Sequence, residues 1–292
     1  MSRTRGDNAG HLRWLTVMAA WVMLAAAPAS AHHEAIFGPQ SSAVLSPTTF
    51  LSAQVFTREL GEGDEKRHET TTVFSAGVRP FKRPVSIAFV VPMTFATSPG
   101  EPTEHGLEDA LVTARYRVDV DRLEDALRLD DAYVMGVGGI EIPTGTLDHD
   151  FGRGPVGGIA AALMSIERHP FSLIGYGYYH HTGEYHNIRQ NGNAFAGLGA
   201  AWTPVDDEEK GKLFSLQCGL SYERTFAIEQ GGVALLNSGG SGIFVHPGIV
   251  AMVNPRVQFF ALVSLPVTQE WRAADDRQRF RFGAGAILVL TH

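Results

Sequence analysis

The stretch LFSLQCGLSYER, residues 213–224, alternates apolar and polar side chains along its length. Phe214, Leu216, Cys218, Leu220 and Tyr222 share one parity, and Ser215, Gln217, Gly219, Ser221 and Glu223 share the other. Successive side chains of a strand point to opposite faces, so each face here meets its own solvent. The pattern suits either a half-exposed sheet over a dry core or a barrel wall between lipid and water. The rest of the chain separates the two.

Its N-terminal segment carries Arg3, Arg5 and Arg13, then an apolar run from Leu15 to Ala27 and the triplet Ala29-Ser30-Ala31. That order of basic, apolar and small residues reads as an export signal over 1–31 with an A-x-A cleavage site. The run is too short for a membrane-spanning helix, which takes about 20 apolar residues, and no second long apolar run follows it. An exported chain of this kind is soluble or a β-barrel. The expected organisation is a signal peptide at 1–31, a periplasmic segment at 32–47 and a barrel at 48–292. The formal charge of -7 becomes more negative once the basic leader is removed, which argues against nucleic acid as a partner. Cys218 is the only cysteine, so no intramolecular disulfide forms, and its apolar neighbours give it a packing or lipid-facing role.

With 32 glycines and only 19% charged residues, the composition suits strands joined by glycine-rich loops. The exceptions are DRLEDALRLDD at 121–131, long enough for a short helix, and PVDDEEKGK at 204–212, a solvated turn. Alternating segments bounded by turn signals are expected near 48–58, 70–79, 85–95, 109–120, 132–142, 157–166, 171–181, 193–203, 213–225, 243–253, 257–267 and 279–291. Connections after the even-numbered segments are short, proline-marked or compact, such as PFKRP at 80–84 and NPR at 254–256; those after the odd-numbered ones are long. One tight rim and one long-loop rim is the asymmetry of an outer-membrane barrel with both termini periplasmic. The expected fold is all-β: a transmembrane antiparallel barrel of about 12 strands. Its two solvents are lipid outside and a wet lumen inside.

At DAYVMGVGGIEIPTGTLDHDFGRGPVG (131–157) the chain resembles the phenol-degradation meta-pathway family of outer-membrane proteins, through Gly139, Glu141, Pro143 and Gly145. Gly106 and Asp109, and later Pro247, Gly248, Leu265 and Pro266, resemble further elements of that family in the same order. The resemblance implies a β-barrel transporter passing small molecules, hydrophobic ones in some members. The chain departs from outer-membrane barrels in general by ending Leu290-Thr291-His292, without the aromatic residue that the assembly machinery reads.

Three constellations could carry function. Charged residues assigned to the lumen face are Arg58, Arg79, Arg115, Arg117, Arg279 and Arg281 against Asp109, Asp119, Glu141 and Glu223; the lipid face would penalise a charge by ~2–4 kcal/mol at mid-depth. Arg115 and Arg117 stand at i and i+2, share one face and are expected to favour anions. If cleavage follows Ala31, the segment His32-His33-Glu34 offers an amine, two imidazoles and a carboxylate to copper or zinc. His180, His181 and Thr182 invite comparison with a rim hydrolase of the phospholipase type, although a triad is recognised by geometry and not by spacing. The function expected is therefore a non-enzymatic outer-membrane channel or transporter for a small solute, with membrane lipid and the barrel-assembly machinery as partners. The alternatives are the rim hydrolase and a non-conducting metal-binding or structural barrel.

Overall fold

The computed structural model describes residues 49–291 except 62–65, 81–83, 147–151, 153, 186, 190–191, 208–209, 236–237 and 273–276. The expected signal peptide and the His32-His33-Glu34 segment lie outside the described residues.

The wall is built from β1 (Thr49–Leu60), β2 (Arg67–Val78), β3 (Val85–Thr97), β4 (Glu104–Leu107), β5 (Ala110–Asp119), β6 (Asp131–Ile142), β7 (Gly157–Arg168) and β8 (Phe171–His181). It continues, after the two-residue strands β9 (Glu184–Tyr185) and β10 (Ile188–Arg189), with β11 (Asn193–Asp207) and β12 (Lys212–Thr225). Then come the short β13 (Glu229–Gln230) and β14 (Val233–Ala234), and the wall strands β15 (Gly240–Asn254), β16 (Val257–Trp271) and β17 (Gln278–Thr291). β4 and β5 both pair with β3, so they act as one wall strand interrupted at Glu108 and Asp109. Every wall pairing is antiparallel, and β1 pairs with both β2 and β17. The result is a closed ring of twelve strands with no free edge. A β1 strand of 12 residues rising ~3.3 Å per residue and tilted by ~40° spans ~30 Å, the thickness of a bilayer core.

The strand positions match the sequence reading closely, and the even count places Thr49 opposite Thr291 on one rim. That rim carries the short connections, one of which holds the helix α1 (Asp121–Leu127), closed by Arg128 in the left-handed region at φ 53. Two boundaries move by four residues: β11 runs on to Asp207, so Pro204 to Asp207 belong to the wall and not to a turn, and β16 runs on to Trp271. On the opposite, long-loop rim, β9 and β10 from one loop pair with β13 and β14 from another in the order β14-β13-β10-β9. Arg189 Nη1 donates to Glu229 Oε2 at 2.9 Å across this small sheet.

The parity of the opening stretch resolves as a lipid face and a lumen face. Leu216, Cys218, Leu220 and Tyr222 are exposed on the outside, whereas Ser215, Gln217 and Ser221 are buried within the ring. The outer face also carries Leu198, 71% exposed, and, on other strands of the ring, the exposed Phe74, Ile140, Phe171 and Val267. An apolar surface of this extent on a closed barrel is a lipid-facing belt.

The interior departs from a wet lumen. In its half nearer the short-turn rim, Phe50, Leu213, Met252, Phe260, Ile287 and Val289 belong to one packed cluster. Tyr133, Met135, Val137, Leu163 and Ile174 form a second. A ring of twelve strands is narrow enough for long side chains to reach past their neighbours. The Arg115 guanidinium on β5, for instance, lies 5.2 Å from the centroid of the Phe50 ring on β1, three wall strands away.

If the outer belt meets lipid, Leu198→Arg near mid-wall should lower unfolding free energy by ~2–4 kcal/mol, and Val205→Arg near the rim by ~0–1. Urea titration of the protein folded in vesicles measures both, and equal costs would place the belt elsewhere.

Candidate functional site

Above the packed floor, toward the long-loop rim, the inward faces of the strands enclose a chamber of about 280 Å³. Its walls combine Phe56, Tyr176, Tyr178 and Phe195 with Glu108, Asp109, Glu141, Glu223, His180 and Arg281. Tyr178 and Phe195 stack at 4.8 Å between centroids, and Tyr176 meets Phe195 edge-on at 5.5 Å. Aromatic surface beside a few placed polar groups is the usual composition of a small-molecule site.

The charges are held in pairs. Arg281 on β17 donates from Nη1 to Glu223 Oε1 at 3.0 Å and from Nη2 to Glu223 Oε2 at 2.6 Å, a planar fork on a carboxylate of β12. Its guanidinium also stacks on Phe244 at 4.4 Å. His180 Nε2 lies 2.9 Å from Glu141 Oε2. Glycine makes room for this contact, because a Cβ on Gly157 would come within 2.5 Å of Glu141 Oε2. Asp109 Oδ1 accepts from the backbone N–H of Gly145 at 2.8 Å, tying the loop after β6 to the interrupted fourth wall strand. Glu108 accepts from the Thr94 hydroxyl.

A second polar chain runs around the wall. Ser221 Oγ is 2.7 Å from His246 Nε2, and His246 Nδ1 is 2.7 Å from Ser264 Oγ. A neutral imidazole has one donor and one acceptor nitrogen, so the two serines serve opposite roles whichever tautomer is present. All three residues are buried.

Of the residues assigned to the lumen from sequence, Asp109, Glu141, Glu223, Arg58 and Arg281 line the chamber. Arg58 is held by Glu69, with Nε donating at 2.6 Å. Arg115 and Arg117 face inward as their parity required, but they lie below the chamber. Arg115 is 1% exposed over Phe50. Arg117 is answered by Asp119 Oδ1 at 2.6 Å and Asp131 Oδ1 at 2.8 Å, over the Tyr133 ring. A basic strip that recruits anions is thus replaced by a neutralised cluster at the short-turn rim. Arg79 lies just beyond β2 on that rim, its backbone N–H donating to Thr49 Oγ1.

Arg279 requires a correction. It pairs with Glu59 at 2.9 Å, and Glu59 is in register with His68 and Phe280, residues of the outer face. A register shift between Glu59 and Leu60 turns Arg279 out of the lumen. His180 and His181 point to opposite faces, one buried and one exposed, while Thr182 is buried. The sequence reading missed His246, Ser264, Glu108 and the Tyr178–Phe195 stack. The signal available was parity alone, since His246, Ser264, Tyr178 and Phe195 lie on four different strands and Glu108 in the break between β4 and β5.

No protein-family model matches the chain, and neither does any curated protein. Among solved structures, an outer-membrane channel from Pseudomonas putida F1 is 13% identical, aligned over 83% of this chain and 96% of that one with a TM-score of 0.66. The fold is that of a twelve-stranded outer-membrane β-barrel. The NanC porin also aligns, at 11% identity over 82% of this chain and 98% of that one, with a TM-score of 0.49. At these identities the likeness concerns architecture, and the chamber chemistry rests on the geometry above.

The Arg281–Glu223 fork is an ionic link across the lumen. Arg281→Met should cost ~1–3 kcal/mol by stranding the carboxylate, and adding Glu223→Leu should restore part of it. A double-mutant cycle by urea unfolding in vesicles measures the coupling, and additive effects would mean that the pair contributes nothing.

Proposed function

We propose that the protein is an outer-membrane channel or transporter that admits a small solute to the chamber from the long-loop side. It releases the solute through the packed floor toward the short-turn rim. The observation that supports this reading is the combination of a sealed, lipid-facing ring with an interior chamber of mixed aromatic and paired-charge lining. Glu141, Glu223, Arg281 and Asp109 form the solute path at the chamber. Arg115, Arg117 and Asp119 take it up below the floor. The short-turn rim, where both described chain ends meet, faces the periplasm, as short turns do in such barrels. The resemblance at Gly139, Glu141, Pro143 and Gly145 favours a small organic solute over a bulk ion flux. A packed floor fits a selective passage better than an open pore, because apolar constrictions conduct only when they hydrate. A rim hydrolase has less support: His180 is engaged with Glu141 inside the ring and Thr182 is buried.

In planar bilayers the wild-type protein should open briefly and with small conductance, and Phe50→Ala with Met135→Ala should raise the conductance severalfold. Silence from both, with both proteins folded, would end the channel reading. An epitope inserted beside Glu184 should react with antibody on intact cells, whereas one at Lys210 should react only after permeabilisation. The reverse pattern would invert the orientation.

A further inference from the structure

The outer face of β12, β15 and β16 changes character sharply toward the long-loop rim. Register places Arg224, Ser241 and Glu270 on one row across the three strands. The next row down is Tyr222, Ile243 and Thr268, and the one below it Leu220, Val245 and Leu265. Leu216 and Ile249 continue the column, both exposed. A charge on the lipid face is tolerated only near the interface, so the Arg224 row marks the height at which hydrocarbon ends and headgroups begin.

At that height lies a second pocket, of about 460 Å³, whose lining includes Tyr222, Arg224, Phe226, Glu270, Trp271 and Arg272 and which has Arg224 and Thr225 in common with the chamber. Arg224 extends over the Phe226 ring at 5.4 Å, and the Arg272 backbone N–H donates to the Gly239 carbonyl at 3.1 Å, fixing the loop start. Among the described residues neither guanidinium makes an ion pair, although Glu270 lines the same pocket. Glu270 is two strands from Arg224, ~10 Å by strand spacing, and one carboxylate against two guanidiniums leaves the pocket cationic.

We infer that this pocket seats the phosphate of a membrane lipid in the leaflet at the long-loop rim, with the acyl chains lying down the Leu220–Leu216 and Ile249–Leu265 column. Guanidinium forks match phosphate oxygens, and Tyr222, on the outer face beside Arg224, supplies an amphipathic ring at headgroup depth. The apolar column directly below is what distinguishes a lipid from a soluble anion as the occupant. The inference is independent of what passes through the lumen.

The test uses the full-length protein in detergent, with dioctanoyl phosphatidic acid, dioctanoylglycerol and inorganic phosphate as probes, followed by native mass spectrometry. The wild-type barrel should retain one phosphatidic acid, and the Arg224→Gln, Arg272→Gln double variant should bind it roughly thirtyfold more weakly, from the loss of two surface arginines. Glu270→Gln should bind it more tightly than wild type. Dioctanoylglycerol and inorganic phosphate should not distinguish the three proteins. The heat-modifiable shift on gels establishes that each variant is folded. Equal retention of phosphatidic acid by wild type and the folded double variant would overturn the proposal. Inorganic phosphate bound as tightly as the lipid would overturn it too.

Discussion

The structure depends on the pairing of β1 with β17. Within a bilayer there is no water to satisfy an exposed backbone N–H or carbonyl, and each one left open costs several kcal/mol. A sheet of eleven pairings would present two such edges to lipid. The twelfth, from Thr49 with Thr291 to Leu60 with Gln278, removes both. Closure also fixes the even strand number, brings the two described chain ends to one rim and forces alternate residues of every strand to face either lipid or the lumen.

Closure at twelve strands sets the bore as well. Side chains as long as Phe50, Met135 and Phe260 then fill the lumen near the short-turn rim, while the half nearer the long loops keeps a chamber. The ionic links follow the same geometry. Arg281 reaches Glu223 past two intervening strands, and Arg115 reaches Phe50 past two others. These chords brace the ring; Arg281 and Arg58 are each matched by a carboxylate, while Glu108 and Asp109 accept from a hydroxyl and a backbone N–H. Specificity in such a space comes from shape, aromatic surface and hydrogen-bond placement more than from bulk charge.

The same alternation gives the two faces different surroundings. Inside, Ser221 and Glu223 contact His246 and Arg281; outside, Tyr222 and Arg224 stand at the height where hydrocarbon gives way to headgroups. One segment of a dozen residues thus lines the chamber with one parity and the outer pocket with the other.

The sequence by itself determined a wall of about twelve strands and the alternation along each, because parity is a local property with period two and survives any uncertainty about packing. Arg115 is buried within the ring, and Glu141, Glu223 and Arg281 line the chamber. The sequence did not determine distance across the ring. That Arg117 would meet Asp131 and that His246 would link Ser221 to Ser264 depends on which strands become neighbours and at what register. That the floor would be dry depends on how far opposing side chains reach. Arg279 shows the limit most clearly: a register shift against β1 turned it to the outer rim, and a bulge is decided by how two strands twist together, which neither strand's own sequence of polar and apolar residues records.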